Sequence, residues 1–245
     1  EKTPAAGEAI PQTAPRDLRM LALFTAAFLF AFGHLFLSSG PVRRPAVAVL
    51  GELVFQLAYS ALILAAFIWM LYAYRGAPEV LLWDAPRWTR LLPLVVMPFS
   101  LYLLVAGFST KNPAAAGQAA TARSPDAVRG ILRITRHPAL FGYTLWGLSH
   151  LPPNGALASV LLFGSVIALS VLGMLHIDKR RAAALGADWA AFEQKSSRLP
   201  FLAIAQGRNQ LKLGELGIVR PLVALLCYAS LLHFHKVIIG ASPLP

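Results

Sequence analysis

The chain has 245 residues, of which 57% are hydrophobic and 13% are charged, with a mean hydropathy of +0.60. This composition excludes an ordinary soluble domain and is typical of a protein that crosses the membrane several times. The net charge of +11 does not indicate nucleic-acid binding, because the basic residues stand in short loops beside apolar segments, where they set orientation and meet anionic lipid. The single cysteine excludes a disulfide framework and a thiolate metal site.

The first 19 residues are rich in proline, alanine and charge, so we predict a disordered N-terminal tail over 1–19 and one transmembrane domain over 20–245. Five apolar runs of about 20 residues follow, each long enough to cross roughly 30 Å of hydrocarbon as a helix. They are residues 20–39, 53–74, 91–109, 156–177 and 218–239. The predicted fold class is therefore all-α, a polytopic bundle of membrane helices.

A sixth apolar run, 138–151, is shorter than the others. With about 14 residues it is either a short crossing, which gives about six spans, or a re-entrant helix. On the count of six, the positive-inside rule assigns the loops richest in lysine and arginine to the cytoplasm. One of these loops contains a predicted amphipathic helix over 178–194, in which Leu185, Trp189 and Phe192 face the apolar side.

The stretch from Arg133 to Gly155 carries the strongest functional signal, because ionisable groups at membrane depth are costly unless they are paired, ligated or hydrated. His150 stands just before a Pro-Pro-Asn-Gly turn that ends its predicted helix. Trp146 lies one turn earlier on the same face, and Gly147 lies beside it. This arrangement leaves room for a large planar ligand.

Three further histidines in apolar runs are candidate ligands. His34 lies deep in the first run, and His233 and His235 lie near the end of the last. A neutral imidazole is a strong ligand for transition metals and for haem iron. The alternative for His34 and His150 is a hydrogen bond to a neighbouring helix. His233 and His235 are about 160° apart around their helix, so only one of them can face a given metal ion.

Arg136 and His137 precede Pro138, at the predicted first turn of a helix. The unpaired N–H groups and positive dipole of such a turn attract a carboxylate or a phosphate, and Arg136 adds charge. A plain helix start held at the membrane interface explains the same pattern. The sequence has no Gly-rich phosphate loop, no zinc-type Cys/His spacing, no His-Glu-x-x-His and no Gly-x-Ser-x-Gly.

Several motifs together resemble the NnrU family over most of the chain. They are GILRITRHPALFGYTLWGLSHLPPNG, then IDKRR, GADWAAFEQKSSRLPF and the tail HKVIIGASPLP, with GHLFLSS near the first run. The resemblance implies a multi-pass protein of the bacterial inner membrane, linked to denitrification and nitric oxide or nitrite metabolism. It also implies kinship with 15-cis-zeta-carotene isomerase, a membrane enzyme that binds haem b through histidines.

This kinship implies haem b as the cofactor, with His34 and His150 as ligands of the haem iron and Trp146, Arg136 and His137 in the cofactor-binding region. Gly147 stands where the isomerase has a cysteine, which puts isomerase chemistry in question. Helix geometry adds His233 as a rival ligand. His233 and His150 both lie roughly 20 Å from the cytoplasmic end of their segments, whereas His34 lies about 9 Å from that end.

Two other functions fit the sequence. The Arg136-His137-Pro138 start also resembles integral-membrane methyltransferases that use S-adenosylmethionine, with Asp178 near their acidic pair. The family context also suggests a non-enzymatic assembly factor for a nitrite or nitric oxide reductase. The partners expected from the sequence are the lipid bilayer, haem, a lipophilic substrate and denitrification membrane proteins, and nucleic acid is not among them.

Overall fold

The computed structural model describes residues 15–245, so most of the predicted N-terminal tail lies outside the described residues. The described part of the chain is helical and forms no β-strand, which confirms the all-α prediction. Its helices are α1 (Arg16–Leu37), α2 (Gly40–Leu50), α3 (Glu52–Gly76), α4 (Leu91–Ser109), α5 (Pro138–His150), α6 (Leu157–Leu185), α7 (Ala187–Lys195), α8 (Leu202–Ala205) and α9 (Val219–Ile239).

Five helices within the described residues are long and apolar enough to cross a membrane. They are α1, α3, α4 together with the short turn before it, α6 and α9, and they match the five long apolar runs predicted from the sequence. Helix α5 has 13 residues, which corresponds to a length of about 20 Å. Its role as a short crossing or a re-entrant helix stays a prediction.

The predicted amphipathic helix over 178–194 is wrong in its extent. Helix α6 continues without a break to Leu185, because the alanines and arginines after Asp178 are strong helix formers. The break comes at Gly186, whose φ of 52° is available to glycine at little cost, and α7 begins after it. Trp189 and Phe192 do not face lipid but are 1% and 2% exposed inside the protein.

Helix α2 was not predicted, because its sequence carries two prolines and two arginines and lacks the apolar pattern of a span. Pro41 stands in its first turn, where proline needs no hydrogen-bond partner for its nitrogen. The helix ends at Gly51, which has a positive φ of 79°. Arg43 in α2 pairs with Glu52 at the start of α3, across this turn.

The described chain divides into two compact units. The first contains α1, α2, α3 and the segment 151–169. Its core is formed by Leu23 and Ala26 of α1 with Met70 and Ala73 of α3, all of which are fully buried. Arg19 closes one end of the α1–α3 pair by donating to the carbonyl oxygen of Gly76 at 3.1 Å.

The second unit contains residues 87–150 and 170–245. Helices α4 and α5 pack closely and antiparallel, with Gly107 against Ala139 and Gly142 against Ser100 and Leu104. The Ser100 hydroxyl donates to the carbonyl oxygen of Gly142 at 2.8 Å. Small residues at a membrane helix interface allow this close approach of backbones.

A hydrophobic cluster on the same unit joins α4 to the loop before α5 and to α7. Its buried members are Leu103, Ala106, Ala114, Ile131, Leu132, Ile134, Trp189 and Phe192. The cluster therefore fixes the segment that leads into α5.

We predict that Gly107→Ala destabilises the α4–α5 pair. A methyl group at this position would lie 2.6 Å from the backbone nitrogen of Ala139 and 3.0 Å from its Cα, so the two backbones must separate. We expect a loss of about 1–3 kcal/mol in the free energy of unfolding. Denaturant titration of the detergent-solubilised protein measures it.

The matched control is Gly173→Ala in α6, where the nearest atom to an added methyl group is 3.8 Å away. This variant should be neutral or gain about 0.5–1 kcal/mol, because alanine favours a helix over glycine. Equal stability of the two variants would contradict the close packing of α4 on α5.

Candidate functional site

A cluster of charged residues surrounds the start of α5, and we call it the ionic network. It consists of Arg136, His137, Asp178, Glu193 and Arg198. The side chains of Arg136, His137 and Asp178 are 4%, 2% and 7% exposed. The residues come from the turn before α5, from α6, from α7 and from the segment after α7, so the network joins four parts of the second unit.

The Asp178 carboxylate is the centre of the ionic network. Arg136 donates to it from Nε, at 3.1 Å to each oxygen, and from a terminal guanidinium nitrogen at 2.6 Å. Arg198 Nε lies 2.7 Å from Oδ2. The same terminal nitrogen of Arg136 also donates to Glu193 at 2.7 Å. A buried carboxylate with this many charged donors is fully satisfied.

His137 adds a neutral donor to the same carboxylate. Its Nε2 lies 2.7 Å from Asp178 Oδ1, and because an ionised carboxylate only accepts, the proton is on Nε2. Burial lowers the pKa of His137 and outweighs the opposing effect of Asp178. The imidazole is therefore neutral at pH 7, and with two carboxylates and two arginines the ionic network is close to neutral overall.

Backbone hydrogen bonds hold the turn before α5 against the segment after α7. The Arg136 amide donates to the Ser197 carbonyl at 2.9 Å, and the Thr135 hydroxyl donates to the Arg198 carbonyl at 2.6 Å. The buried Asn112 side chain donates to the Arg136 carbonyl at 2.9 Å. These bonds fix Arg136 independently of its charge.

A second ion pair holds the chain just upstream. Arg133 binds both carboxylate oxygens of Glu215, at 2.7 and 2.9 Å, and the Gly130 amide donates to the same carboxylate at 2.8 Å. The hydrogen bonds and charge of Arg133 lower the pKa of Glu215 to about 2. The pair ties the segment before α5 to the segment before α9.

One side of the ionic network borders an open cavity of about 510 Å³. Arg136, Glu193 and Arg198 contribute to its wall, together with Arg208. Since the carboxylates already neutralise most of the cationic charge here, the wall has few charges left for a ligand.

His150 lies at the opposite end of α5 from the ionic network. Its Nδ1 lies 2.8 Å from the carbonyl oxygen of Trp146, one turn earlier. A carbonyl oxygen only accepts, so Nδ1 carries the proton and Nε2 carries the lone pair. The Trp146 ring lies beside the imidazole with 5.7 Å between ring centroids, and Gly147 is buried. The predicted shared face of Trp146 and His150 is confirmed.

The contacts of α4 place two histidines at the same end of the second unit. Helix α9 also runs antiparallel to α4, since Arg220 contacts Ser109 while Tyr228 donates to Leu94. The C-terminal ends of α5 and α9 therefore both lie near the start of α4. His150 is the last residue of α5, and His235 lies in the last turns of α9.

The two histidines of α9 differ in environment. His235 Nδ1 lies 2.8 Å from the carbonyl oxygen of Ala241, so its lone pair is also on Nε2. His233 is exposed and packs edge-on against Phe234, with 4.6 Å between ring centroids. The structure thus adds His235, which the sequence prediction had not chosen, to the histidines near His150.

His34 belongs to the first unit, where it packs against α3. Its ring meets Tyr59 edge-on, with 5.3 Å between centroids, and the Tyr59 hydroxyl donates to the His34 carbonyl at 3.3 Å. That His34 and His150 bind the same iron stays a prediction. No group of three or more His, Cys, Asp or Glu side chains suited to a metal ion occurs among residues 15–245.

Sequence reasoning found Arg136 and His137 but not their full set of partners. Asp178 was considered only as part of a methyltransferase-like pattern, and Glu193 and Arg198 were not identified. The sequence did contain a signal for both acids, because each stands next to apolar residues. Asp178 directly follows an apolar run, and Glu193 directly follows Phe192.

The five long apolar helices define this chain as a helical multi-pass membrane protein. A sequence profile of the family described as "NnrU protein" matches residues 22–243. The chain belongs to the NnrU family.

Two plant proteins are similar to part of the chain. The chain is 35% identical over 82 residues to the chloroplastic 15-cis-zeta-carotene isomerase of Arabidopsis thaliana, and 33% identical over 82 residues to that of Zea mays. Each match covers 34% of this chain and 22% of the relative, so the chain spans about a fifth of the relatives' length. No solved structure matches the chain.

We predict that Asp178→Ala is strongly destabilising. The substitution leaves the buried Arg136 with one carboxylate partner in place of two and removes the acceptor of His137. We expect a loss of about 3–5 kcal/mol in the free energy of unfolding. The change is measured by denaturant titration in detergent.

The matched control is Asp188→Ala, which removes the exposed ion pair between Asp188 and Arg123. An exposed pair contributes little to stability, so this variant should unfold like the unmodified protein. If both aspartate variants lose the same stability, the special role of the Asp178 carboxylate is refuted.

The Glu215 pair predicts a defined acid sensitivity. Its pKa is lowered in the folded state from 4.5 to about 2, so its stabilising effect is complete above pH 4.5 and disappears as the pH falls to about 2. The difference in thermal stability between the unmodified protein and Glu215→Gln should therefore be constant near neutral pH and shrink below pH 4.5. A difference that does not depend on pH in this range would contradict the ion pair.

Proposed function

We propose that this NnrU-family membrane protein binds haem b and that His150 is an axial ligand of the haem iron. The observation that carries the proposal is the contact of His150 Nδ1 with the Trp146 carbonyl oxygen at 2.8 Å. Histidines that ligate a metal donate their second ring N–H to a backbone carbonyl or a carboxylate, which fixes the tautomer and the ring orientation. His150 meets this requirement within its own helix.

The surroundings of His150 also suit a large planar group. The Trp146 ring lies on the same face of α5, one turn away, and offers an aromatic surface. Gly147 between them has no side chain to block the approach. Cofactor sites in helix bundles are commonly built among the side chains of facing helices, as this one would be.

The proposed second axial ligand is His34, as predicted from the sequence, with His233 as its rival. His235 joins them as a further candidate, because its Nδ1 also donates to a backbone carbonyl and because the end of α9, like the end of α5, lies near the start of α4. If only one of these three histidines is the second ligand, only its substitution should remove the haem. A series of single variants therefore identifies the second ligand.

The proposed reaction is isomerisation or a related redox step on a lipophilic molecule that reaches the site from the bilayer. Bound haem would supply a redox-active iron. The name of the plant relatives, 15-cis-zeta-carotene isomerase, supports a substrate with a chain of double bonds. The short match to these relatives makes this activity a proposal for the present chain.

We further propose a place in denitrification or nitric oxide metabolism in the bacterial inner membrane, as the resemblance to the NnrU family implies. On this proposal the partners are other membrane proteins of that metabolism. Co-purification with a nitrite or nitric oxide reductase from solubilised membranes would support it. Normal assembly of such a reductase in cells that lack this chain would refute the hypothesis that the chain is an assembly factor.

We propose a structural role for the ionic network in place of methyl transfer. Asp178 and Glu193 already bind Arg136, so these carboxylates are occupied by partners from their own chain. A binding site for the positively charged S-adenosylmethionine needs acids that remain available. Calorimetric titration with S-adenosylmethionine tests the methyltransferase hypothesis, and measurable binding would support that hypothesis against the structural role.

We predict that the protein, purified from haem-replete cells, shows a Soret absorption band that is lost or strongly reduced in His150→Ala. The loss follows because the substitution removes the ligating nitrogen while the backbone of α5 is unchanged. His34→Ala should reduce the band as well if His34 is the second ligand, and His235→Ala or His233→Ala should do so if either replaces it. Absorption spectra of the oxidised and reduced forms measure the effect.

The control is His176→Ala, which removes a histidine of α6 that the proposal does not use. It should keep the spectrum of the unmodified protein. A colourless preparation of the unmodified protein, or a His150→Ala variant with an unchanged spectrum and normal folding, refutes the proposal.

A further inference from the structure

A second cavity, of about 610 Å³, lies on the second unit outside the five long apolar helices, and we call it the basic cavity. Its wall is formed by three segments: 122–133 before α5, 188–195 in α7 and 207–212 after α8. Its volume is within the range of sites that bind small molecules.

The wall of the basic cavity carries a large excess of positive charge. Five cations line the wall with one carboxylate, Asp188. Glu215 is not part of the wall but binds Arg133 with both oxygens, so the net charge of the wall and its direct partner is +3. The cations are Arg123, Arg133, Lys195, Arg208 and Lys212. Like charges that are brought together in a concave surface repel one another and attract counter-ions. The basic cavity therefore favours an anion with several charges.

Two of these cations are fixed by the fold and cannot turn away. Arg133 is held by both oxygens of Glu215 and by Asn209 at 2.9 Å. Arg208 donates to the carbonyls of Glu193, Gln194 and Ser196 at the end of α7. Their bonds hold both guanidinium groups in place; Glu215 balances the charge of Arg133, whereas the carbonyls that hold Arg208 leave its charge available.

The two lysines have a different character. Lys195 is the last residue of α7, and Lys212 lies at the limit of an ion pair, 4.0 Å from Glu215. Both are exposed at the rim of the basic cavity. Lysine is a flexible point charge with three donors, which suits it to phosphate oxygens.

The apolar part of the wall argues for a soluble ligand over a lipid headgroup. It is formed by small or buried side chains, namely Ala122, Pro125, Ala127, Val128, Ala191 and Phe192. None of the large hydrophobic side chains that are exposed in the described chain belongs to it. The acyl chains of a lipid whose headgroup was bound there would therefore have no large hydrophobic side chains to contact.

We propose that the basic cavity binds a soluble anion with a diphosphate group. The five cations come from all three segments of the wall, and a diphosphate, which carries more negative charge than a single carboxylate or monophosphate, matches their combined charge better. The site is distinct from His150, so the proposal does not depend on haem binding.

The test is calorimetric titration of pyrophosphate into the full-length protein in nanodiscs of phosphatidylcholine. We expect saturable binding that is weakened about tenfold or more in the Lys195→Gln/Lys212→Gln double variant, because two of the five cations lose their charge. The matched control is Lys111→Gln/Lys179→Gln, which removes the same charge from exposed lysines of the second unit that lie outside the basic cavity. It should bind pyrophosphate like the unmodified protein.

A second arm separates soluble phosphate from lipid phosphate. The same proteins are placed in nanodiscs that contain phosphatidic acid, and pyrophosphate is titrated again. Unchanged pyrophosphate affinity supports the proposal. Absence of binding in phosphatidylcholine nanodiscs, equal affinity in the two double variants, or displacement of pyrophosphate by phosphatidic acid in a lysine-dependent way would overturn it.

Discussion

The contact of the Arg136 guanidinium and the His137 imidazole with the Asp178 carboxylate determines where α5 begins. Buried charges are costly unless they are paired and hydrogen-bonded, so this part of the second unit has one arrangement of low energy. Arg136 must meet α6 through Asp178 and α7 through Glu193 at the same time. The direction of α5 away from that point then follows from its close contact with α4.

The position of His150 depends on this arrangement. Helix α5 starts at the ionic network and packs antiparallel on α4 through Gly107 and Gly142, so its last residue lies near the start of α4. The end of α9 with His235 reaches the same region. The buried polar contacts at one end of α5 thus help to fix the position of His150 at the other end, about 20 Å away.

The sequence predicted the membrane helices well because the signal for a span is local. A run of about 20 apolar residues has few other uses, and all five such runs form long helices. The face shared by Trp146 and His150 was also predictable, since residues four apart in a helix are neighbours. These two predictions were correct because each needed only the local sequence of one helix.

The sequence did not predict features that depend on contacts between distant segments. Trp189 and Phe192 have the pattern of an interfacial helix, but the turn at Gly186 directs them into the core beside Leu103. Arg136 meets Asp178 and Glu193 across 42 and 57 positions of the chain. Periodicity carries no information on which arginine binds which acid, so the charge pattern alone suggested a free anion site where the chain supplies its own anions.

The most direct test of the central claim, that α5 presents His150 to a haem iron, is chemical rescue. His150→Gly removes the imidazole and leaves space for a free one. The account predicts that this variant loses the Soret band expected of the unmodified protein and that added imidazole restores it, because the small molecule replaces the missing side chain. A spectrum unchanged by the substitution, or one that imidazole fails to restore in a folded variant, would contradict the account.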